Sequence, residues 1–281
     1  IAFIGCVQFS LPIAERLLAN DCVKIAGIVT RAHSSVNADF LSLSPLAVSH
    51  GIPYFEAEGN DQSAMKAWLE GLGVEAVICV GWSYLLSREI LDLMPNGVIG
   101  YHPALLPRNR GRHPIIWALA LGLRKTGSTF FVMNEEADAG DIVSQVVVKI
   151  SESDNAATLY VKLCATALEQ IDEVARNLAS GQLKRTPQDT DLATVWRKRS
   201  AKDGEIDWRM TASCVHNLVR ALTLPYVGAH CVLAGNEIKV WRTEPAGSQP
   251  AGVEPGKVLA VENGTITVNC CDGALRLLDH E

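Results

Sequence analysis

The sequence has no CxxC pair among its eight cysteines and no apolar run approaching the ~20 residues of a membrane-spanning helix. The missing spacing argues against a structural zinc site or a disulfide framework, and no metal is expected. Most of the cysteines sit inside apolar runs, where a reduced thiol behaves as a small hydrophobe. The longest apolar stretches, 75–81 and 143–150, are too short to cross a bilayer, so a soluble protein with no membrane partner is expected. Basic residues are not in excess either: 25 Lys and Arg stand against 31 Asp and Glu, a net charge of −6 that excludes a polybasic nucleic-acid coat. No charged leader, apolar plug and cleavage site shows at IAFIG, which makes the cytoplasm the expected address. What the chain does have is apolar surface. At 48% hydrophobic and 20% charged it can bury a core, which rules against intrinsic disorder, and its length suits one large domain or two smaller ones.

Up to about residue 180, short β-rich runs alternate with helical patterns. Segments 1–5, 23–29, 76–80, 97–101 and 128–133 are apolar and bounded by turn residues, as buried strands are, and 142–150 continues as another. A helix over 11–19 takes Ser10 as its N-cap and Pro12 in its first turn; another over 61–72 places Met65, Trp68 and Leu69 on one side. A long helix over 155–179 carries Leu159, Val161, Leu163, Leu168 and Ile171 among its apolar residues and stops at Gly181. This alternation predicts an α/β fold, a Rossmann-like, doubly wound and mostly parallel sheet, over 1–183. Residues 184–203 turn polar, with Pro187 and charges at Lys184, Arg185, Arg197, Lys198 and Arg199, and read as a linker. Over 204–281 one helix, 212–222, precedes strand-like runs at 229–233, 238–242, 257–261, 265–270 and 274–278. Hairpin turns at Gly235-Asn236, Asn263-Gly264 and Asp272-Gly273 favour a small antiparallel, OB-like β-barrel.

The chemistry concentrates in 97–141, GVIGYHPALLPRNRGRHPIIWALALGLRKTGSTFFVMNEEADAGD. His102 emerges at the carboxyl end of a predicted strand, where open α/β sheets bind ligands. It serves either catalysis or an ordinary turn. Pro103 and Pro107 stiffen the loop that follows, and Arg108, Arg110 and Arg112 around Gly111 suit an anionic ligand. Asp138, in the turn ADAGD, either orients the imidazole as the acid of a triad does or simply binds its own backbone.

HPALLPRNRG, followed by HPI and then TGSTFFVMNEEADAGDI, closely resembles the signature of the folate-dependent formyltransferases, the group containing methionyl-tRNA formyltransferase and the sugar-nucleotide N-formyltransferases. IAFIGCVQFSLP resembles the family's opening strand and turn, and GEIDWRM, HNLVRALTLPYVGA and GKVL resemble its C-terminal domain. The resemblance implies transfer of a formyl group from 10-formyltetrahydrofolate to a primary amine. It also implies a catalytic set of Asn, His and Asp, carried here by His102 and Asp138, with Gly100 where the family has the amide that helps hold the oxyanion. A water or another side chain in the donor's place, a lost activity, or a different donor and acceptor would each account for Gly100; the intact remainder of the motif favours replacement. The pterin and its linker are implied along Tyr84, Leu85 and Leu86, along Ala104, Leu105, Leu106 and Pro107, and along Asn134, Glu135, Glu136, Ala137 and Asp138, with Arg112 close by. Trp82 either stacks on the ligand or belongs to the core, the commoner fate of such a residue.

A tRNA acceptor calls for clustered Lys and Arg. The 31–55 stretch, where the tRNA enzymes resemble one another in a basic loop, holds one Arg and no Lys, and Arg197 to Arg199 with Lys202 are weak support. The expected acceptor is therefore a small-molecule amine, a nucleotide-linked amino sugar, which 35–47 and 111–119 also resemble. Methionyl-tRNA is the first alternative, and a folate-binding relative without turnover the second. The barrel is expected to form a second binding module or a homo-oligomer surface.

Overall fold

The computed structural model describes residues 1–35, 37–233, 235–248 and 252–281. The 35–47 stretch and the turn before Asn236 therefore each touch a position, 36 and 234, outside the described residues. In chain order the elements are β1 (Ala2–Ile4), α1 (Ser10–Leu18), β2 (Gly27–Thr30), α2 (Ser44–Ser49), β3 (Tyr54–Glu56), α3 (Ser63–Leu72), β4 (Val77–Cys79), α4 (Arg88–Leu91), β5 (Val98–His102), β6 (Arg110–Gly111), α5 (Pro114–Ala120), β7 (Lys125–Val132), β8 (Ile142–Lys149), α6 (Ala156–Ala179), β9 (Val195–Trp196), α7 (Ala212–Leu222), β10 (Ala229–Leu233), β11 (Asn236–Pro245), β12 (Val258–Glu262), β13 (Thr265–Asn269) and β14 (Ala274–His280). They form two compact units that interleave along the chain. One holds 1–111, 127–148 and 162–195; the other holds 112–126, 149–161 and 196–281.

The first unit is built on a seven-stranded sheet in the order β3-β2-β1-β4-β5-β7-β8. The strands from β3 through β5 run parallel, and β7 lies antiparallel to β5, so the expected mostly parallel sheet is present. All residues of β1, β2 and β4 are buried, as a parallel sheet covered on both faces requires. Ile4, Val29, Val77, Cys79 and Val98 of this sheet pack with Met65 and Leu69 of α3 and Ile90 of α4 in one core cluster. Helix α6 buries Leu159, Leu163, Ala167, Ile171, Val174 and Leu178, spaced three and four apart, whereas Val161 falls off that stripe and is 66% exposed. Gly181 then turns left-handed at φ 66°, where glycine carries no Cβ penalty.

Ser10 is the first residue of α1 rather than its cap. Its hydroxyl donates to the Val80 carbonyl at 2.6 Å and accepts from the Val7 N–H, tying the β1–α1 turn to the end of β4. The strand expected over 23–29 begins only at Gly27, and β3 has no apolar run to announce it, its residues being exposed or half-buried.

In the second unit α7 starts at a genuine cap, the Thr211 side chain accepting from the Cys214 N–H at 3.1 Å. The C-terminal strands form one antiparallel sheet in the order β10-β11-β14-β13-β12, its end strands unjoined among the described residues, as in a partly open barrel. Asn263 and Gly264, at φ 51° and 78°, make the two-residue turn between β12 and β13.

Candidate active site

His102 is the last residue of β5, paired across to Thr129 of β7, and only 4% of it is exposed. Its Nε2 lies 2.8 Å from the Asn109 carbonyl and its Nδ1 3.5 Å from Asp138 Oδ1. Both partners are acceptors, so the ring can donate to both only when it carries two protons. Asp138 sits in the left-handed region at φ 57°, and its Oδ2 accepts the Gly111 N–H at 2.8 Å. The loop between His102 and Gly111 is thereby tied to the imidazole through Asn109 and to the carboxylate through Gly111.

Residues 186–194, inside the expected linker, hold this loop in place. Thr186 exchanges two 2.8 Å backbone hydrogen bonds with Ile142. Thr194 accepts the Asn109 N–H on its hydroxyl at 2.8 Å and the Arg110 N–H on its carbonyl at 2.9 Å. Gln188 donates to the carbonyls of Asp138 and Gly140, while its own carbonyl accepts from Arg110 Nε and Nη2. Arg110 is 3% exposed and reaches Glu136 through Nη1 at 3.0 Å. Of the three arginines expected to meet an anionic ligand, Arg110 is thus committed inside the protein. Arg108 and Arg112 are exposed, and Arg112 opens the stretch belonging to the second unit.

Gly100 lies two residues before His102 and therefore on the same face of β5. A Cβ placed there would stand 2.8 Å from Met133 Cγ, 3.1 Å from Met133 Sδ and 3.1 Å from Phe131 Cζ. The volume beside the backbone at Gly100 is thus taken by a thioether side chain, which has no hydrogen to donate.

The residues implied for a pterin divide by burial. Ala104 and Leu106 are buried; the Ala104 carbonyl accepts from the Thr129 hydroxyl and the Leu106 carbonyl from Gln145, so this pair anchors the loop. Tyr84, Leu105, Pro107 and Asp138 are half-buried, and Asn134, Glu135, Glu136 and Ala137 are exposed. Leu85, 56% exposed, and the buried Leu86 line a cleft of about 930 Å³ together with Gln62, Lys66, Arg88 and Glu135; His102 and Asp138 lie outside that lining. Gln62 pins the cleft wall at two points, donating to the Leu85 carbonyl at 2.8 Å and accepting the Ser87 N–H at 3.0 Å. Trp82 is half-buried against the core of the sheet, with the Arg31 guanidinium 5.8 Å from its ring and 4.7 Å from that of Tyr84.

Two arginines of the basic run in the second unit are engaged by their own neighbours. Arg197 pairs with Asp203, Arg199 donates to the Asp203 carbonyl, and both guanidinium groups lie over Trp117, at 5.4 and 4.6 Å. The hydrogen bonds from Arg197, and then those from Ser200, hold the Asp203 carboxyl well below the usual carboxylate range. His113 is pushed below the ordinary histidine value by burial and by the cations Arg112, Arg199 and Lys198.

Residues 17–174 match the family described as formyl transferase, and residues 198–281 match the formyl transferase C-terminal domain. The chain belongs to the formyl transferase family. Among solved structures, this formyl transferase superposes on the N-formyltransferase of Helicobacter canadensis, determined with folinic acid and dTDP-3-aminofucose, at a TM-score of 0.76 and 13% identity, covering 100% of this chain and 98% of that one. It also superposes on methionyl-tRNA formyltransferase from Clostridium thermocellum, with a TM-score of 0.64, 14% identity and coverage of 95% and 96%. A variant of HypX from Aquifex aeolicus gives 0.69 at 18% identity over 99% of this chain, which spans only 43% of that protein. At these identities the likeness is one of fold. Sequence reasoning missed Gln62, Gln188 and Thr194 in this formyl transferase because each acts through hydrogen bonds to backbone distant in sequence, which leaves no local pattern.

Proposed function

We propose that this protein is an enzyme that transfers a formyl group from 10-formyltetrahydrofolate to a primary amine on a nucleotide-linked amino sugar, in the cytoplasm, with 1–183 as the catalytic domain, 184–203 as the connection and 204–281 as a second module. The observation that carries the reading is the juxtaposition of His102, Asp138 and the Gly111 N–H at the carboxyl end of β5, in a chain of the formyl transferase family.

When bound, the folate supplies the formyl group; Tyr84, Leu85, Leu86, Leu105 and Pro107 are the residues that would hold its rings. Leu85 fits such a group, presenting apolar surface on the wall of a cleft whose volume falls within the range of small-molecule sites, with Leu86 buried behind it; Tyr84, Leu105 and Pro107 lie outside that lining. An ammonium ion has no lone pair with which to attack, so the acceptor must lose a proton, and His102 is the base placed to take it. To do so its Nε2 must leave the Asn109 carbonyl while Nδ1 stays on Asp138. Asp138, oriented by Gly111, then stabilises the charged imidazole.

The amino-sugar acceptor is favoured over methionyl-tRNA because the 31–55 stretch, where the tRNA enzymes resemble one another in a basic loop, holds one Arg and no Lys, and the net charge is −6. The test is mass spectrometry on protein incubated with 10-formyltetrahydrofolate and two acceptor pools, nucleotide-linked amino sugars and methionyl-tRNA. A formylated sugar with tetrahydrofolate release is the expected result. Formyl-methionyl-tRNA overturns the acceptor assignment, and product from neither pool overturns the transfer to these acceptors.

A further inference from the structure

We propose that Gln188 is a positioning residue for the His102–Asp138 pair, acting through the turn that carries Asp138, and that the buried Arg110 holds Gln188 in the orientation this requires. Only the turnover readout below rests on the formyl-transfer reading.

Asp138 occupies a left-handed conformation that few residues other than glycine adopt, and its surroundings hold it there. Gln188 does this with both hydrogens of one amide nitrogen, one on the Asp138 carbonyl at 2.8 Å and the other on the Gly140 carbonyl at 2.7 Å. A flipped amide would set its oxygen against those two carbonyls. Arg110 forbids the flip, because its Nε and Nη2 donate to the Gln188 oxygen at 3.1 and 2.9 Å, and a guanidinium has no acceptor to offer a flipped NH₂.

The turn cannot back away on the other side. A Cβ on Gly140 would stand 1.7 Å from the Val132 carbonyl oxygen, so glycine is what lets the chain close against β7 at this point. The carboxylate itself is reached from the loop by the Gly111 N–H, from the residue next to Arg110. The guanidinium therefore holds Gln188 on the turn side of the carboxylate, while the next residue, Gly111, meets it from the loop side. The 3.5 Å between His102 Nδ1 and Asp138 Oδ1 is a separation at which a few tenths of an ångström decide whether a hydrogen bond forms. Besides Asp138, the charged groups of this network are Arg110 and Glu136; Asp138 faces Nδ1 of the ring and the uncharged Asn109 carbonyl faces Nε2.

The experiment compares wild type, Gln188→Ala, Gln188→Glu, Asp138→Asn and the double variant Gln188→Ala/Asp138→Asn, each checked for folding by circular dichroism. The first readout, NMR titration of the His102 imidazole, needs no substrate. Gln188→Ala is expected to move the His102 midpoint in the same direction as Asp138→Asn, with no further movement in the double variant. Gln188→Glu keeps a partner for Arg110 but loses both turn donors, so it should resemble Gln188→Ala; it carries the test if the alanine variant does not fold. The second readout is turnover. kcat should fall about 10- to 100-fold with the formyl-donor KM within about twofold, and Gln188→Ala should cost little more once Asp138 is already Asn. A His102 midpoint that stays put in a folded Gln188 variant overturns the proposal. A wild-type protein that transfers no formyl group, with the midpoint still moving, overturns the functional reading and leaves the positioning role standing.

Discussion

At position 100 a neighbour fills the space that a side chain would take. Met133 occupies it because Gly100 pairs with Phe131 across β5 and β7, and the chain leaving β7 brings Met133 over the same face. Placing Asn at this position must push the thioether aside. Gly100→Asn is expected to lower stability by about 1–3 kcal/mol, the usual penalty for overpacking, and Gly100→Asn/Met133→Ala to recover part of it; thermal unfolding of the three proteins checks this. A Gly100→Asn protein as stable as wild type and faster in turnover would show a pocket open to the amide. For the proposed catalytic pair, His102→Ala should abolish formyl transfer and Asp138→Asn lower it by orders of magnitude, both in protein that still folds by circular dichroism. The pair was legible in the sequence, since a strand-end His and a Gly-turn Asp stand in a recognisable signature. The fate of Gly100 was not, because it depends on which side chain of the antiparallel partner leans across.

Among the elements, those whose side chains meet one continuous surface could be read and those held by scattered polar bonds could not. Of the apolar residues expected in α6, Leu159, Leu163 and Ile171 are buried and Leu168 is half-buried, whereas Val161, two positions from Leu159, points to the other side. The 184–203 stretch reads as a connector because it is polar, and the hydrogen bonds of Gln188 and Thr194 to the His102 loop and the Asp138 turn leave no mark in its sequence. Gln62 just before α3 is a similar case. Removing its amide should loosen the Leu85–Ser87 wall of the cleft, so Gln62→Ala is expected to raise the formyl-donor KM several-fold with kcat nearly unchanged, by steady-state kinetics. An unchanged KM in a stable variant would separate that wall from donor binding. The Arg197–Asp203 pair gives a prediction in pH. The folded-state carboxyl titrates below its unfolded value, so its stabilisation is present above the ordinary carboxylate range and is lost as pH falls toward the lowered folded value. Asp203→Asn should therefore cost stability at pH 7, and urea midpoints of variant and wild type should converge in acid.

For the molecule as a whole, the net charge of −6 gives a prediction in salt. With a nucleotide-sugar acceptor, KM should change by less than about tenfold between 50 and 200 mM salt. An enzyme gripping six to ten phosphates of a nucleic acid would lose on the order of 10³–10⁵ in affinity over the same range. Kinetics at the two ionic strengths distinguish these cases even before the acceptor is identified. Finally, the stitching of 186–194 to the His102 loop sets where this chain can be cut and rejoined. A chimera exchanging its C-terminal part with another formyl transferase should take its junction after residue 195. A junction at 183 would import a foreign Gln188 and Thr194 counterpart into the native site, and with them a different parent's setting of the imidazole.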